Sequence, residues 1–454
     1  MRRVVKHMYL FVFAISLGIL ANSCSDVDAR FARTGPKNII VFISDGCGYY
    51  HVDAASMYQY GRTGTQPYEK FPVVCAMSTY GLGGSYDAQA AWSDFDYVND
   101  GATDSAAAAT AISCGVKTYH GAIGVGLDKK PLKHIVERCE ELSKATGVIT
   151  SVPLSHATPA GFVAHNVSRY NYKQIAKEMI LQSAVDVIMG CGHPLFDSDG
   201  KAVDNPTTFK YVGGKETFDL LLAGEAGGDA DGDGINDAWT LVQSRAQFRM
   251  LSSGQTPKRI CGLPQVSVTL QEGRSGDVKA DAYAVALIET VPTLEEMTKA
   301  ALNVLDNDPD GFFLMVEGGA VDGASHNNEP GRLIEEQIDF NKSVEAVLEW
   351  AEENSAWGQT LVIVTADHEC GYVTGPGSGQ KEDGPVWNPP KNNGQNNQPG
   401  FEWHSKGHTN SLIPFYAKGC CAAEFEKYQN NRDPVRGPYI DNTDIAKVIF
   451  ELLK

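Results

Sequence analysis

"NIIVFISDG", residues 38–46, joins a seven-residue apolar run to an aspartate and a turn glycine. The run reads as a strand buried on both faces. The same reading holds for "GVITSV" (147–152), "VDVIMG" (185–190), "FFLMV" (312–316) and "TLVIVTA" (360–366). Amphipathic stretches lie between and after them. "TLEEMTKAALNVL" (293–305) opens with the capping box Thr293…Glu296, "RLIEEQIDFNKSVEAVLEWAEEN" (332–354) follows, and "TDIAKVIFELLK" (443–454) closes the chain. Strands alternating with helices predict an α/β fold: a doubly wound, mostly parallel central sheet with helices on both faces. No internal repeat is visible.

The 454 residues suffice for one large α/β domain or two to three smaller ones. The net charge of −18 argues against nucleic-acid or anionic-lipid binding by charge alone. An acidic protein acting on anions needs local positive charge, most economically from bound metal.

The residues just after each apolar run carry the chemistry. The first run leads into Asp45-Gly46, "FFLMV" into Glu317-Gly318, and "TLVIVTA" into Asp367-His368. Ligands in open α/β sheets bind outside the carboxyl ends of the strands, so these residues are candidates for one site. "EGGAVDGASH" (317–326) sets Asp322 and His326 four apart, on one side of a helical turn or tight loop, and His408 precedes another strand-like run. Carboxylates plus imidazoles without thiolate suit Zn²⁺, with Mg²⁺ where only oxygens meet. Seven such residues exceed the needs of one ion, so two or three ions are implied.

"GATDSAAAATA" (101–111) places Asp104-Ser105 before a run of alanines. By itself that is a helix cap, since Asp and Ser cap helices and Ala propagates them. A serine hydroxyl needs a base or a metal to become a nucleophile, and no Gly-x-Ser-x-Gly elbow surrounds Ser105. A metal rim would supply the activation, and a helix N-terminus favours a bound anion. Serine, helix start and metal cluster converge on phosphoryl transfer.

These residues resemble the alkaline phosphatase family. "TDSAAAATA" is similar to its nucleophile signature, and "GVKTYHGAIGV" (115–125) continues the match. "ISDGCG" (43–48), "HATPAGFVAHNVSR" (156–169), "VEGGAVDGASH" (316–326), "TADHECGYVTG" (365–375) and "HTNSLIPFYA" (408–417) appear in the family's order. The resemblance implies that Ser105 becomes phosphoserine. It implies one zinc held by Asp322, His326 and His408, a second by Asp45, Asp367 and His368, and a magnesium by Asp45, Thr158 and Glu317. Arg169 would grip two phosphate oxygens, itself held by Asp104. The implied substrates are small phosphomonoesters, with nucleic acid only through terminal phosphates, and family members are often homodimers. Two positions depart from some relatives. His156 replaces an aspartate near the third site, which should weaken Mg²⁺ and let Zn²⁺ compete. Gly323 stands where a basic or aromatic residue helps hold phosphate, which should loosen the product. His165 reads as a packed or surface histidine, His404 lies close enough in sequence to compete with His408 as a ligand although "GHT" fits the motif better, and nothing is assigned to His51 or His120.

Other features stand apart from the reaction. "DADGDGIND" (229–237) spaces Asp229, Asp231, Asp233 and Asp237 as calcium loops do, with a turn glycine at Gly234. It lies within 198–290, which lacks strand periodicity and reads as an insertion or subdomain. Residues 374–409, rich in Gly, Asn and Pro, read as a long surface loop. The N-terminus has a basic patch (Arg2, Arg3, Lys6), an apolar run over 8–21 and then "NSCS", the layout of an export signal over residues 1–23. "ANSC" also resembles a lipobox, which would lipidate Cys24 and attach the protein to a membrane. The expected location is the periplasm, or the outer membrane as a lipoprotein. Removing residues 1–23 takes the net charge to −21 and leaves 24–454 as one catalytic domain. Ten cysteines in an exported chain invite a disulfide framework.

Two other functions remain in view. A phosphodiesterase of the same superfamily would not need an arginine gripping two free phosphoryl oxygens. A non-catalytic surface lipoprotein binding calcium or phosphate would have no need of Ser105.

Overall fold

The computed structural model describes residues 35–454 except 207, 232 and 355, so the export segment and Cys24 lie outside the described residues. Eleven described strands form one sheet. In chain order they are β1 (Asn38–Ser44), β2 (Val73–Ser78), β3 (Ala145–Pro153), β4 (Val187–Cys191), β5 (Thr240–Val242), β6 (Ile260–Gly262) and β7 (Phe312–Gly318), then β8 (Thr360–Thr365), β9 (Ile413–Gly419), β10 (Asn431–Asp433) and β11 (Gly437–Asp441). Across the sheet the order is β10-β11-β2-β9-β8-β1-β7-β3-β4-β6-β5.

The central strands β8, β1, β7, β3 and β4 run parallel, in keeping with apolar runs that show no alternation. Residues 39–43 of β1 and 312–316 of β7 are fully buried. β9 is antiparallel to both β8 and β2. Its N-terminal end therefore reaches the rim where the parallel strands deliver their carboxyl ends.

Segment 198–290 holds helices Lys215–Ala223 and Arg245–Leu251, and its strands β5 and β6 extend the main sheet. Each of those strands has three residues, too few to show a period in sequence. The predicted helices form as Leu294–Leu305, with Thr293 and Glu296 exchanging cap hydrogen bonds, Pro330–Glu353 and Thr443–Leu452. No helix among the described residues is long and apolar enough to cross a membrane.

The expected disulfide framework is corrected: all nine described cysteines are free. Seven are buried, six of them within separate strands and helices, where they serve as small apolar residues.

Candidate active site

The carboxyl ends of β1, β7, β8 and β3 supply the site. Asp45 follows β1, and Gly46 turns the chain with φ +77°. A Cβ on Gly46 would lie 2.8 Å from the Cα of Asp322, so only glycine lets these segments meet. Glu317 lies within β7, where the hydroxyl of Thr150 on β3 donates to it. Asp367 and His368 follow β8. Helix Ala320–His326 sets Asp322 and His326 one turn apart. His408 sits in a two-residue ladder, opposite Cys370 and two residues from His368. That ladder pins the base of the 374–409 loop to the site.

The two outer, partly buried imidazoles have fixed tautomers. His326 Nδ1 lies 2.5 Å from the Lys406 carbonyl, and His408 Nδ1 lies 2.8 Å from that of Thr103. A carbonyl only accepts, so both Nδ1 atoms carry protons and both Nε2 atoms face inward. These Nε2 atoms are 3.0 Å apart and reach Asp322 oxygens at 3.3 and 3.4 Å. Lone pairs converging at that spacing require a cation between them, either protons or a metal.

Deeper in, His368 Nε2 lies 3.2 Å from Asp367, 3.6 Å from Asp45 and 3.3 Å from the Ser105 hydroxyl. Asp45, Glu317, Asp367 and His368 have no solvent exposure. Both oxygens of Asp45, Glu317 Oε1, Asp322 Oδ1, Asp367 Oδ2 and the Thr158 hydroxyl are buried without a hydrogen-bond partner. Burying so many unsatisfied acceptors is costly unless cations neutralise them, so the donor set fits metal ions. The electrostatics agree. Burial, then the neighbouring carboxylates, push Asp45 well above the usual range. Burial lifts Glu317 to about 7 and Asp367 to about 6. Asp322 moves the other way: burial opposes its charge, but the His326 and His408 imidazoles beside it outweigh that. Asp322 in turn holds His326 up to about 9.

Ser105 begins helix Ser105–Cys114, every residue of which is buried. Asp104 caps it, Oδ1 accepting from the amides of Ala107 (3.2 Å) and Gly121 (3.0 Å). The other oxygen, Oδ2, takes the Arg169 guanidinium at 3.0 Å. One carboxylate thus starts the serine helix and anchors the arginine. Alanines let the helix approach its neighbour Ala157–Val163 closely: a Cβ on Gly161 would sit 2.8 Å from that of Ala109. Arg169 Nη2 lies 3.4 Å from His156 Nε2, which must accept because a guanidinium only donates. Burial, then Arg169, lowers His156 to about 3, keeping it neutral. His156 also groups with Asp45 and Glu317 within metal-ligand reach.

Three of the four loop aspartates, Asp229, Asp231 and Asp237, come together. Asp233 accepts from the Ile235 amide instead, and the Lys258 ammonium lies across Asp231 and Asp237 at 2.8 Å each. His165 stacks on His134 and reaches the Leu132 carbonyl, and His404 bonds the Thr374 hydroxyl at 2.7 Å. His51 supports the site from behind, Nε2 lying 3.1 Å from the Cys370 carbonyl. Sequence reasoning missed the carbonyls of Thr103 and Lys406, which leave no side-chain signal. It also missed Glu272, whose carboxylate lies against Gly323.

A family model described as alkaline phosphatase matches residues 36–389. The alkaline phosphatase of Escherichia coli K12 is 31% identical over 361 residues, covering 73% of this chain and 70% of that protein. Alkaline phosphatase 3 of Bacillus subtilis is 31% identical over 340 residues, covering 74% of this chain but only 61% of that relative's length. Among solved structures, the alkaline phosphatase of the Antarctic bacterium TAB5 superposes with a TM-score of 0.61 at 25% identity, covering 92% of this chain and 98% of that one. A histidine-to-aspartate variant of the TAB5 enzyme carries magnesium in its M3 site.

Proposed function

The chain belongs to the alkaline phosphatase family, and on that premise we propose that it hydrolyses phosphomonoesters through a covalent phosphoserine at Ser105, releasing inorganic phosphate. The observation that carries this reading is the Ser105 hydroxyl, 3.3 Å from His368 and facing buried, unsatisfied carboxylates at the start of a helix.

Asp322, His326 and His408 would hold one zinc, and Asp45, Asp367 and His368 a second. Asp45, Thr158 and Glu317, with His156 beside them, would hold a magnesium-type ion. Bound there, these ions would supply Lewis acidity that lowers the pKa of a hydroxyl or water and neutralises charge on attacking and leaving oxygens.

The protein's own groups position the reaction. Arg169, fixed by Asp104, donates to two phosphoryl oxygens, and the first amides of helix 105–114 favour the anion's charge. The Ser105 oxygen bonds to phosphorus as the ester oxygen departs, and water then attacks the phosphoserine to release phosphate. Little covalent help is required, because phosphoryl transfer depends on alignment and charge neutralisation. We also read residues 1–23 as an export signal, placing the enzyme in the periplasm or, through Cys24, at the outer membrane.

The test counts metals in the purified protein and compares wild type with Ser105→Ala on p-nitrophenyl phosphate and its bis ester. Acid quenching should trap one phosphoryl group on wild type and none on the variant. Full activity in Ser105→Ala would overturn the serine mechanism, and faster cleavage of the diester would favour a phosphodiesterase. A metal-loaded wild type without turnover would favour a binding protein.

A further inference from the structure

Helix Ala320–His326, which carries Asp322 and His326, has beside it a carboxylate that the reaction does not use. Glu272 is half-buried, and Gly323, next to Asp322, leaves open the space that Glu272 fills. A Cβ on Gly323 would lie 3.4 Å from Glu272 Oε1 and 3.8 Å from Oε2. The Asn327 amide, one turn on, donates to Oε1 at 3.5 Å. The charged side chains that act on Glu272 or feel its charge are themselves carboxylates: Asp322, Glu329 and Glu336. Nearby cations are committed elsewhere. Lys279 donates to the carbonyls of Asn327 and Asn328, while Arg274 and Arg332 pair with Glu335. Glu272 is thus an anion beside Gly323, close to Asp322, with no cation of the protein assigned to it among the described residues.

The direction of substrate entry follows from burial. Ser105, Asp45, Asp367 and His368 are buried, whereas the His326 side chain is 40% exposed. In-line attack by Ser105 expels the ester group opposite the buried nucleophile, towards the more exposed His326 end of the site, where Gly323 shares a helix with His326. We propose that Glu272 determines substrate choice by receiving a cationic leaving group, an alkylammonium borne a few bonds from the ester oxygen, beside Gly323. This rests on the phosphomonoesterase reading above and adds the substrate class to it. Leaving groups with further negative charge, such as a second phosphate, meet repulsion at the same place.

The experiment compares kcat/KM for choline phosphate with its neutral isostere, in which carbon replaces the quaternary nitrogen. An ion pair at a half-exposed rim is worth about 1 kcal/mol, so wild type should prefer the cationic ester about fivefold. Glu272→Gln should bring the ratio to about one, and Glu272→Lys should invert it. Equal rates on the two esters in wild type, or a ratio that both variants leave unchanged, would overturn the proposal while leaving the phosphatase intact. If metal-loaded wild type turns over neither ester nor p-nitrophenyl phosphate, the phosphomonoesterase reading falls and takes this inference with it. If Glu272→Lys fails to fold, the ratio in Glu272→Gln against wild type decides the matter alone.

Discussion

Replacing Asp104 by Asn separates its two duties. Its Oδ1 accepts from Ala107 and Gly121, and an asparagine carbonyl can accept the same two bonds. Oδ2 faces Arg169 at 3.0 Å, where Asn offers no charge. Breaking a fully buried pair by removing one partner costs about 3–5 kcal/mol. Here Arg169 and Asp104 remain 13% and 18% exposed, so partial hydration of the stranded guanidinium lowers the expected cost to about 2 kcal/mol. Asp104→Ala also loses the cap, a further cost of about 1 kcal/mol. Urea unfolding of the metal-saturated protein at neutral pH should therefore rank wild type above Asn above Ala. Asn alone should already depress kcat/KM, because Arg169 loses its anchor. The pH dependence supplies a sign. Burial would raise the Asp104 pKa, but Arg169 and the two amides outweigh it, so the folded value lies below the unfolded one. Its contribution is present above the unfolded pKa, about 4, and is lost as pH falls through the folded value. Wild type and Asn should converge in acid. If Asp104→Asn unfolds at the wild-type midpoint and only Ala is destabilised, Asp104 is a cap alone. Arg169 would then be held by other contacts, such as its own amide on the Gly121 carbonyl.

Three further outcomes can be checked. Chelated protein should lose stability as pH rises from about 6.5 to 9, because His326, held near 9 by Asp322, stabilises only while protonated. The buried neutral His156 and His368 no longer titrate in that range, and a chelated protein whose Tm rises across it in calorimetry would contradict the reasoning. A lysine at Gly323 would meet Glu272 before it met phosphate, so Gly323→Lys alone should change phosphate inhibition by less than about twofold. The Glu272→Gln background should release that ammonium and tighten inhibition several-fold; a strong effect of the single variant would show that Glu272 does not shield the site. Calcium at 229–237 has to displace the Lys258 ammonium, so Lys258→Met should tighten calcium binding in titration calorimetry, and equal affinities would remove the loop as a calcium site.

The sequence by itself determined what neighbouring residues dictate. Unbroken apolar runs specify buried parallel strands, and the residue after each run is placed at the sheet's carboxyl rim by strand geometry alone. The four-residue spacing of Asp322 and His326 likewise sets both on one helical turn, and Asp104 caps the helix that its own position begins. Tertiary structure decided everything that depends on which strand lies beside which. It brought Arg169 to Asp104 across 65 residues and turned the carbonyls of Thr103 and Lys406 onto the histidines. It also dispersed most of the cysteines through the core, drew Lys258 across the acidic loop, and filled the space over Gly323 with Glu272. Backbone carbonyls carry no residue code, and a charge distant in sequence has no period to betray it. Such partners become legible only when the sheet order fixes the distances between segments.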